Sequence, residues 1–148
     1  MNHNVYKVYT IGDCYVVLGF TDCYKRNVLQ EAKNVVNMGF SMVECIREVR
    51  ERLKFPELDM RIGIHTGTII GGIIGTEIVR YDIYGPDVMI ANKFEEEGKT
   101  GYIHISEATK EILDQDKKKA FNISPYGSVK VEKLNAEFNG YLLSKKKF

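Results

Sequence analysis

The chain has 148 residues, enough to bury one substantial core, and its 44% apolar and 28% charged residues are typical of a globular domain. Its formal net charge of +1 argues against a nucleic-acid partner, which usually shows as a marked basic excess, and the basic tail at residues 145–147 is too short to change this. No apolar run approaches the roughly 18–20 residues that span a bilayer, so we expect no membrane-spanning segment or signal peptide within this sequence.

Three scattered cysteines, Cys14, Cys23 and Cys45, lack the paired spacing of a zinc site or a disulfide framework. Such a set favours a reducing compartment. We therefore expect a cytoplasmic domain, and any membrane anchor of a parent protein would lie outside this sequence.

The first predicted element is a β-hairpin. Residues 5–11 and 14–20 are dense in β-branched and aromatic side chains. The dipeptide Gly12-Asp13 separates them, and glycine readily adopts the positive φ that a tight type II′ turn requires. The pattern predicts two antiparallel strands with Asp13 at the tip.

A long helix is predicted over residues 27–53, where apolar residues recur in alternating steps of three and four. The predicted stripe comprises Val28, Ala32, Val35, Gly39 or Phe40, Met42, Ile46, Val49 and Leu53. Steps averaging 3.5 are also compatible with a coiled-coil seam, although a helix covering a sheet is commoner in a domain of this size. Pro56 closes the segment.

The rest of the sequence alternates between strands and helices. Helices are predicted after Gly85, ending near Gly98, and from Ser106, which we expect to cap the second helix. Predicted strands cover residues 60–66, 68–75, 81–84, 102–105, 128–134 and 138–144. Because some strands are joined by tight turns and others by helices, the predicted fold class is α+β, with a mixed sheet covered by helices on one face.

The predicted hairpin tip carries the first candidate for chemistry. An aspartate there is usually only a turn former. The flanking strands are strongly apolar, however, so the Asp13 carboxylate has a rigid support. A fixed carboxylate suits a Mg²⁺ ligand, because Mg²⁺ is usually bound through one or two carboxylates plus phosphate oxygens.

Five segments stand in a specific order and spacing: TIGDCY, RIGIHTG, GGIIG, RYDIYG and GYIHISEAT, which begin at Thr10, Arg61, Gly71, Arg80 and Gly101. Together they resemble the catalytic domain of class III adenylyl and guanylyl cyclases, the nucleotidyl cyclases, over residues 7–143. A lone glycine-rich motif would be weak evidence. Five motifs in register are a specific signal.

The resemblance implies a ferredoxin-like α+β domain that works as a dimer, with ATP or GTP bound between two such domains. One domain supplies two aspartates that hold two Mg²⁺ or Mn²⁺ ions. The other domain supplies base-reading side chains, with an asparagine and an arginine on a helix. The ribose 3′-hydroxyl attacks the α-phosphorus and pyrophosphate leaves, which makes the family phosphorus–oxygen lyases of intracellular signalling.

By this resemblance, Asp13 matches the second metal aspartate. The first is expected in an Asp-x-x-x-Phe-Thr segment that also carries a central strand, and this sequence has no such segment. We therefore expect residues 1–148 to form a partial cyclase domain in which the family's first strand segment is missing. It should show no turnover alone, and its exposed apolar surface and open strand edges should lower its solubility.

The family's asparagine and arginine positions, on the helix after Gly85, are occupied by Met89 and Lys93. Their i, i+4 spacing places them on one helix face. Methionine cannot orient a ribose through a strong hydrogen bond, and lysine keeps the charge but lacks the planar fork of arginine. Lys93 is nonetheless the candidate catalytic replacement, whereas the simpler interpretation is a core Met89 and a solvated Lys93.

Four residues match the base pocket of the family. Tyr9 stands where adenylyl cyclases have lysine and guanylyl cyclases have glutamate, and Asp82 matches the adenylyl-type partner. Ile83 and Tyr84 would line the same pocket. Because a tyrosine does not discriminate between purine bases as a charged side chain does, ATP and GTP both remain candidate substrates. Ordinary strand packing is the alternative for Tyr9 and Tyr84.

Several other residues near these motifs are not interpreted as ligands or catalytic groups. Glu77 stands where the metal-bearing domain of membrane adenylyl cyclases has a phosphate-binding arginine, with Arg80 close by. His65 and His104 fall in predicted strands and are interpreted as packed or strand-end residues rather than ligands. Cys14 is expected to be buried beside the metal aspartate.

These features lead to two functional hypotheses. The metal aspartate is retained while the asparagine–arginine pair is lost, which resembles the metal-bearing half of a pseudo-heterodimeric cyclase whose partner supplies the missing groups. A homodimer is the less favoured arrangement. The alternative is a catalytically degenerate cyclase-like domain with a dimerisation or nucleotide-sensing regulatory role.

Overall fold

The computed structural model describes residues 3–145, so most of the basic tail lies outside the described residues. The strands are β1 (Tyr6–Ile11), β2 (Cys14–Leu18), β3 (Ile62–Ile64), β4 (Ile70–Ile74), β5 (Arg80–Tyr84), β6 (Ile103–Ser106), β7 (Phe121–Val131) and β8 (Ala136–Lys145). The helices are α1 (Val28–Leu53), α2 (Pro86–Glu96) and α3 (Glu107–Asp114), with a 3-10 turn at Glu132–Leu134. None of the helices in residues 3–145 combines the length and hydropathy needed to cross a bilayer.

A four-stranded sheet in the order β3-β6-β8-β7 forms the centre of the fold. Strand β3 runs parallel to β6, whereas β8 is antiparallel to both β6 and β7. Two antiparallel ribbons, β1-β2 and β4-β5, stand beside this sheet. The predicted α+β class and mixed sheet are confirmed.

The N-terminal hairpin forms as predicted. Ile11 pairs with Cys14, so that Gly12 and Asp13 make a two-residue loop. Gly12 has a φ of 58°, the left-handed conformation that favours glycine over other residues. Strand β2 ends at Leu18, two residues earlier than expected.

Helix α1 has the predicted length. The Asn27 side chain caps it by accepting the Gln30 amide at 3.0 Å, and Lys54 ends it in the left-handed conformation. Its buried face, however, is Ala32, Val36, Gly39 and Val43. The predicted stripe is therefore only partly the core face, and its ends at Val28 and Leu53 are 46% and 62% exposed.

The strand alternation of β6 places helices on both faces of the sheet. Ile103 and Ile105 point to one face, where they form a core with α1 and α3. His104 points to the other face and contacts Phe94 of α2, with ring centroids 4.7 Å apart. The expectation that helices cover one face of the sheet holds for α1 and α3. Helix α2 lies on the other face, so β6 is buried on both sides.

The C-terminal strands are longer than predicted and turn earlier. Strand β7 begins at Phe121 and contains an irregularity between Pro125 and Ser128. Residues 132–134, predicted as strand, instead form a 3-10 turn, and Asn135 closes it with a φ of 46°. The two predicted strands pair as an antiparallel hairpin, and its turn lies within the residues predicted as the end of the first strand.

Helix α2 approaches strand β3 so closely that only glycine fits between them. A Cβ at Gly63 would lie 2.2 Å from the Glu95 backbone nitrogen, and a helix backbone cannot move locally to avoid it. Gly63 is therefore required by packing.

We expect Gly63→Ala to lower the free energy of unfolding by at least about 2 kcal/mol, because α2 must shift off the sheet. Chemical denaturation of the 148-residue chain measures this. Gly72→Ala is the matched control: nothing lies within 4 Å of its Cβ position, so its effect should stay within about 0.5 kcal/mol. Equal stability of the two variants would contradict the close packing of α2 on β3.

Candidate functional site

An open groove of about 800 Å³ runs between β2 and β3. Within residues 3–145, β2 pairs only with β1 and β3 pairs only with β6, so each strand presents one hydrogen-bonding edge without a strand partner. Residues from both strands line the groove. Its walls are therefore two strand edges, an unusual arrangement because exposed edges readily recruit another strand.

Helix α1 forms the apolar floor of this groove. Its half-buried residues Val35, Met38, Met42 and Ile46 line the groove, beside the stripe that packs on the sheet. This explains the error in the predicted stripe, which combined residues from two adjacent apolar faces. One face packs on the central sheet, and the other faces the groove.

Asp13 lies among the groove-lining residues, at the exposed tip of the β1-β2 hairpin. In the described part of the chain its carboxylate has no hydrogen-bond or ion-pair partner, so both oxygens are available for a cation. The same residues contain no group of three His, Cys, Asp or Glu side chains that could hold a metal ion. Asp13 therefore fits one ligand position of a metal site, and the other ligands are not among its neighbours.

Cys14 is exposed, so the prediction that it is buried beside Asp13 is wrong. Cys14 is the first residue of β2, beside the exposed hairpin tip, and it lines the open groove. Partial desolvation raises the pKa of its thiol, with smaller contributions from the negative charges of Glu95 and Asp13. The thiol is therefore protonated at neutral pH.

Three of the four residues assigned to the base pocket come together. Tyr84 Oη donates to Asp82 Oδ2 at 3.1 Å, and Arg80 Nη2 lies 3.3 Å from the same oxygen. Asp82 is buried, and its other oxygen accepts the Ile83 amide. The pKa of Tyr9 is raised, first by desolvation and then by the charge of Asp82, so Tyr9 lies within electrostatic range of this carboxylate.

Ile83 is separated from this cluster. Successive side chains of a strand point to opposite faces, and Ile83 is buried and lines the groove with Asp13. The pKa of Tyr84 is raised, first by desolvation and then by its hydrogen bond to Asp82. Strand β5 thus contributes one face to the Asp82 cluster and the other to the groove.

The two positions on α2 lie away from Asp13. Lys93 Nζ is 3.1 Å from Glu96 Oε2 and 3.4 Å from Glu97 Oε1, and these hydrogen bonds raise its pKa. Met89 is half-buried. Neither residue lines the groove, whose α2 wall is formed by Asp87, Val88, Ala91, Asn92 and Glu95.

A hydrogen-bonded group that the sequence analysis did not anticipate joins β3, α2 and the start of α3. His65 directly follows β3, and its Nδ1 lies 2.7 Å from Ser106 Oγ while its Nε2 lies 2.8 Å from Asp87 Oδ1. The second oxygen of Asp87 accepts the Thr68 amide at 2.8 Å. The interpretation of His65 as a packed strand-end residue agrees with its 6% side-chain exposure.

The order serine, histidine, aspartate is that of a hydrolase triad, but Ser106 is 1% exposed and no substrate can reach its hydroxyl. The same hydrogen bond corrects a prediction. Ser106 stands at the cap position of α3, yet its side chain forms no cap hydrogen bond because it is directed to His65.

The sequence signal for the His65 group is an alternation of residues with a period of two. Gly63, His65 and Gly67 alternate along one face of an extended segment, and that face meets α2. A Cβ at Gly67 would lie 2.2 Å from Asp87 Cγ, so the second glycine leaves space for a carboxylate. The RIGIHTG motif therefore provides the surface on which α2 packs.

His104 is the other histidine beneath α2, and it is 1% exposed. Its Nδ1 lies 2.8 Å from the Phe94 carbonyl oxygen, which can only accept, so Nδ1 carries the proton. Within the described residues Nε2 is buried without a partner. Burial lowers the pKa of this imidazole, and the neutral ring is a core residue as the sequence predicted.

Residues 1–145 match the model of the adenylate and guanylate cyclase catalytic domain. The chain belongs to this family.

Two relatives show the extent of the similarity. The chain is 38% identical over 132 residues to guanylate cyclase alpha of Plasmodium falciparum, covering 87% of this chain and 3% of that protein. It is 39% identical over 116 residues to atrial natriuretic peptide receptor 2 of Anguilla japonica, covering 77% of this chain and 11% of that protein. The chain thus spans a small part of these curated relatives.

Solved structures give the same result for the fold. The guanylate cyclase domain of RhGC from Catenaria anguillulae, in complex with GTP, superposes with a TM-score of 0.77 at 26% identity, over 98% of this chain and 75% of that one. The adenylyl cyclase CyaB from P. aeruginosa superposes with a TM-score of 0.83 over 98% and 74%, and at 22% identity it supports the fold alone. The structure is a cyclase-type α+β fold.

The burial of His104 predicts a pH dependence of stability. Its pKa is lowered in the folded chain, so the unfolded chain binds this proton first as the pH falls below about 6.5. Stability should therefore decrease as the pH falls below about 6.5, with a slope of up to about 1.4 kcal/mol per pH unit from this group.

Urea denaturation at a series of pH values measures this slope. His104→Asn keeps a donor for the Phe94 carbonyl and removes the titration, so its stability should vary less over the same interval. A variant with the slope of the unmodified chain would show that His104 is not the titrating group.

Proposed function

We propose that this chain provides the metal-bearing half of a nucleotidyl cyclase, which converts ATP or GTP to the cyclic nucleotide and pyrophosphate. The observation that carries the proposal is the Asp13 carboxylate, held at a hairpin tip beside an open groove with no partner in residues 3–145. It occurs in a chain that belongs to the cyclase family. One structural neighbour was solved with GTP and another with ATPαS.

The proposed cofactors are two Mg²⁺ or Mn²⁺ ions. Asp13 would supply one carboxylate oxygen ligand, which suits these cations. When bound, such ions promote loss of the ribose 3′-hydroxyl proton and neutralise charge on the phosphates. Since one carboxylate does not fix two cations, the remaining ligands must come from substrate phosphates and from groups outside the described residues.

An additional strand would account for those groups. The two open edges of β2 and β3, together with the apolar floor from α1, match the requirements of an extended segment with apolar side chains. We propose that a strand from outside residues 3–145 fills the groove and brings a second carboxylate near Asp13. By this account residues 1–148 are a partial catalytic domain and give no turnover alone.

The partner of this chain would be a complementary cyclase domain. Lys93 is already engaged by two glutamates of its own helix, and Met89 offers no strong hydrogen bond, so α2 of this chain is poorly suited to hold the ribose and phosphates. A heterodimer is therefore favoured over a homodimer. The Asp82 cluster, with Tyr9 and Tyr84, provides the polar groups that would face a purine base.

The location follows from the same proposal. Substrate triphosphates and the exposed thiols of Cys14, Cys23 and Cys45 both suit a cytoplasmic domain. One relative is the membrane guanylyl cyclase of Dictyostelium discoideum, so a membrane-anchored parent protein is consistent with the family.

The pairing of Lys93 with Glu96 and Glu97 also supports a second candidate function. A domain whose phosphate-binding position is neutralised by its own helix could dimerise and bind nucleotide without turning it over. This regulatory function is the alternative to catalysis, and the Asp13 experiment distinguishes the two.

For this experiment, the chain is joined to the first strand segment of a homologous cyclase domain and mixed with an arginine-bearing partner domain, here called the assembled cyclase. With Mn²⁺ and ATP or GTP, we expect cyclic product, and Asp13→Asn should lower turnover at least about 100-fold because a metal ligand is lost.

Asp22→Asn is the control. Asp22 is an exposed aspartate in the loop after β2 that accepts the Tyr24 amide, and its variant should turn over normally. Triphosphate binding that Asp13→Asn leaves unchanged, without product in any pairing, would exclude catalysis and favour the regulatory alternative.

We expect the partner domain to bind at the β4-β5 ribbon and the turn that joins its two strands. Ile73 and Ile78 are 74% and 82% exposed, and contiguous exposed apolar residues mark interaction surfaces. We expect Ile73→Asp and Ile78→Asp to weaken association with the partner domain by at least about tenfold, because each would bury an unpaired charge.

Analytical ultracentrifugation measures this association, and circular dichroism checks the fold. Leu53→Asp, at the exposed end of α1, is the matched control, since it adds the same charge at an apolar residue that is 62% exposed. Weakening by the Leu53 variant alone would place the partner elsewhere.

A further inference from the structure

Asp87 connects two parts of the proposed dimer surface. It lies in the first turn of α2, and its two oxygens accept from His65 and from the Thr68 amide. Thr68 lies two residues before β4, the first strand of the β4-β5 ribbon. One carboxylate therefore fixes both the start of α2 and the base of the ribbon to the end of β3.

We propose that His65 is a positioning residue that holds α2 and the β4-β5 ribbon in one fixed orientation through Asp87. The catalytic consequence of this role rests on the proposed cyclase function, whereas the positioning itself does not. His65 touches neither substrate nor metal in this account. It acts on the surface that would meet the partner domain.

The Asp87 carboxylate fixes the role of one ring nitrogen of His65. A carboxylate only accepts, so His65 Nε2 donates to Asp87. His65 Nδ1 is then free to accept from the Ser106 hydroxyl, at the junction of β6 and α3. Both ring nitrogens are thus used, and the imidazole is oriented from two sides. Phe94 and Phe138 further enclose the ring, with centroids 6.4 Å and 6.3 Å away.

Among residues 3–145, His65 is the one side chain that donates to Asp87. Gly67 leaves the space that the Asp87 carboxylate occupies, and Thr68 contributes only its backbone amide. Without the His65 donor, Asp87 keeps one hydrogen bond within the described residues, which it accepts from the Thr68 amide. The Thr66 hydroxyl holds the same segment to Thr109 of α3, not to α2. We therefore expect the first turn of α2 and the segment around Thr68, just before β4, to unfold locally together.

Two amide variants separate positioning from packing. His65→Gln places an amide near the Nε2 position and retains the bond to Asp87, whereas His65→Asn places it near Nδ1 and retains only the bond to Ser106. In the 148-residue chain we expect His65→Asn to speed hydrogen exchange at the first turn of α2 and at Thr68 by at least about tenfold. His65→Gln should stay close to the unmodified chain.

A spectroscopic measurement covers the case in which both variants fold poorly. Nitrogen-15 NMR of the unmodified chain should place the His65 proton on Nε2, with Nδ1 unprotonated. An unprotonated Nε2 would overturn the proposal, because the imidazole would then have no donor for the Asp87 carboxylate. Equal exchange in His65→Asn, His65→Gln and the unmodified chain would overturn it as well.

In the assembled cyclase, His65→Asn should lower kcat by between about 10-fold and 100-fold with little change in KM, since misplacement affects orientation more than binding. His65→Gln should restore most of the loss. If no assembly forms product while the exchange difference is observed, the cyclase function fails and the positioning role stands. If product forms and both variants turn over normally, the catalytic consequence of positioning by His65 is refuted, whatever the exchange experiment shows.

Discussion

The contact between helix α2 and strand β3 governs the arrangement of the rest of the domain. Gly63 allows the two backbones to meet, and Gly67 leaves space for the Asp87 carboxylate. With α2 in place, Phe94 covers His104 and supplies the acceptor that holds its ring. The second core, formed by α2 with β7 and the following turn, depends on the same contact, since Ile90 and Phe94 belong to it.

The groove between β2 and β3 exposes strand edges and apolar side chains that have no partner in the described residues. Two strand edges and a second apolar stripe of α1 face each other across it, and Asp13 lies among its lining residues. A structure that exposes edges and apolar residues in this way gains stability when a strand is added. The Asp13 carboxylate and the two open strand edges therefore lie at the same groove.

Much of the local structure followed from short-range rules. The hairpin tip required only glycine beside two apolar strands, and α1 required only its periodicity, its Asn27 cap and Pro56. The buried face of α1 was harder to predict. Val35 and Val36 are equally apolar, and only the position of the sheet places one towards the groove and the other in the core. Ser106 was misassigned for a related reason, since a serine before a helix caps it unless a nearer partner takes the hydroxyl.

Motif order and periodicity are properties of the chain, so they were enough to identify the family, the α+β class and Asp13 as a candidate ligand. Which residues meet depended on the packing of the helices and strands. This packing joined Tyr84 to Asp82, separated Ile83 from both, exposed Cys14, and linked His65 to Asp87 and Ser106 across 22 and 41 positions of sequence. Contacts between residues so far apart depend on how helices and strands pack, and packing distances of a few ångströms are not encoded in any local pattern.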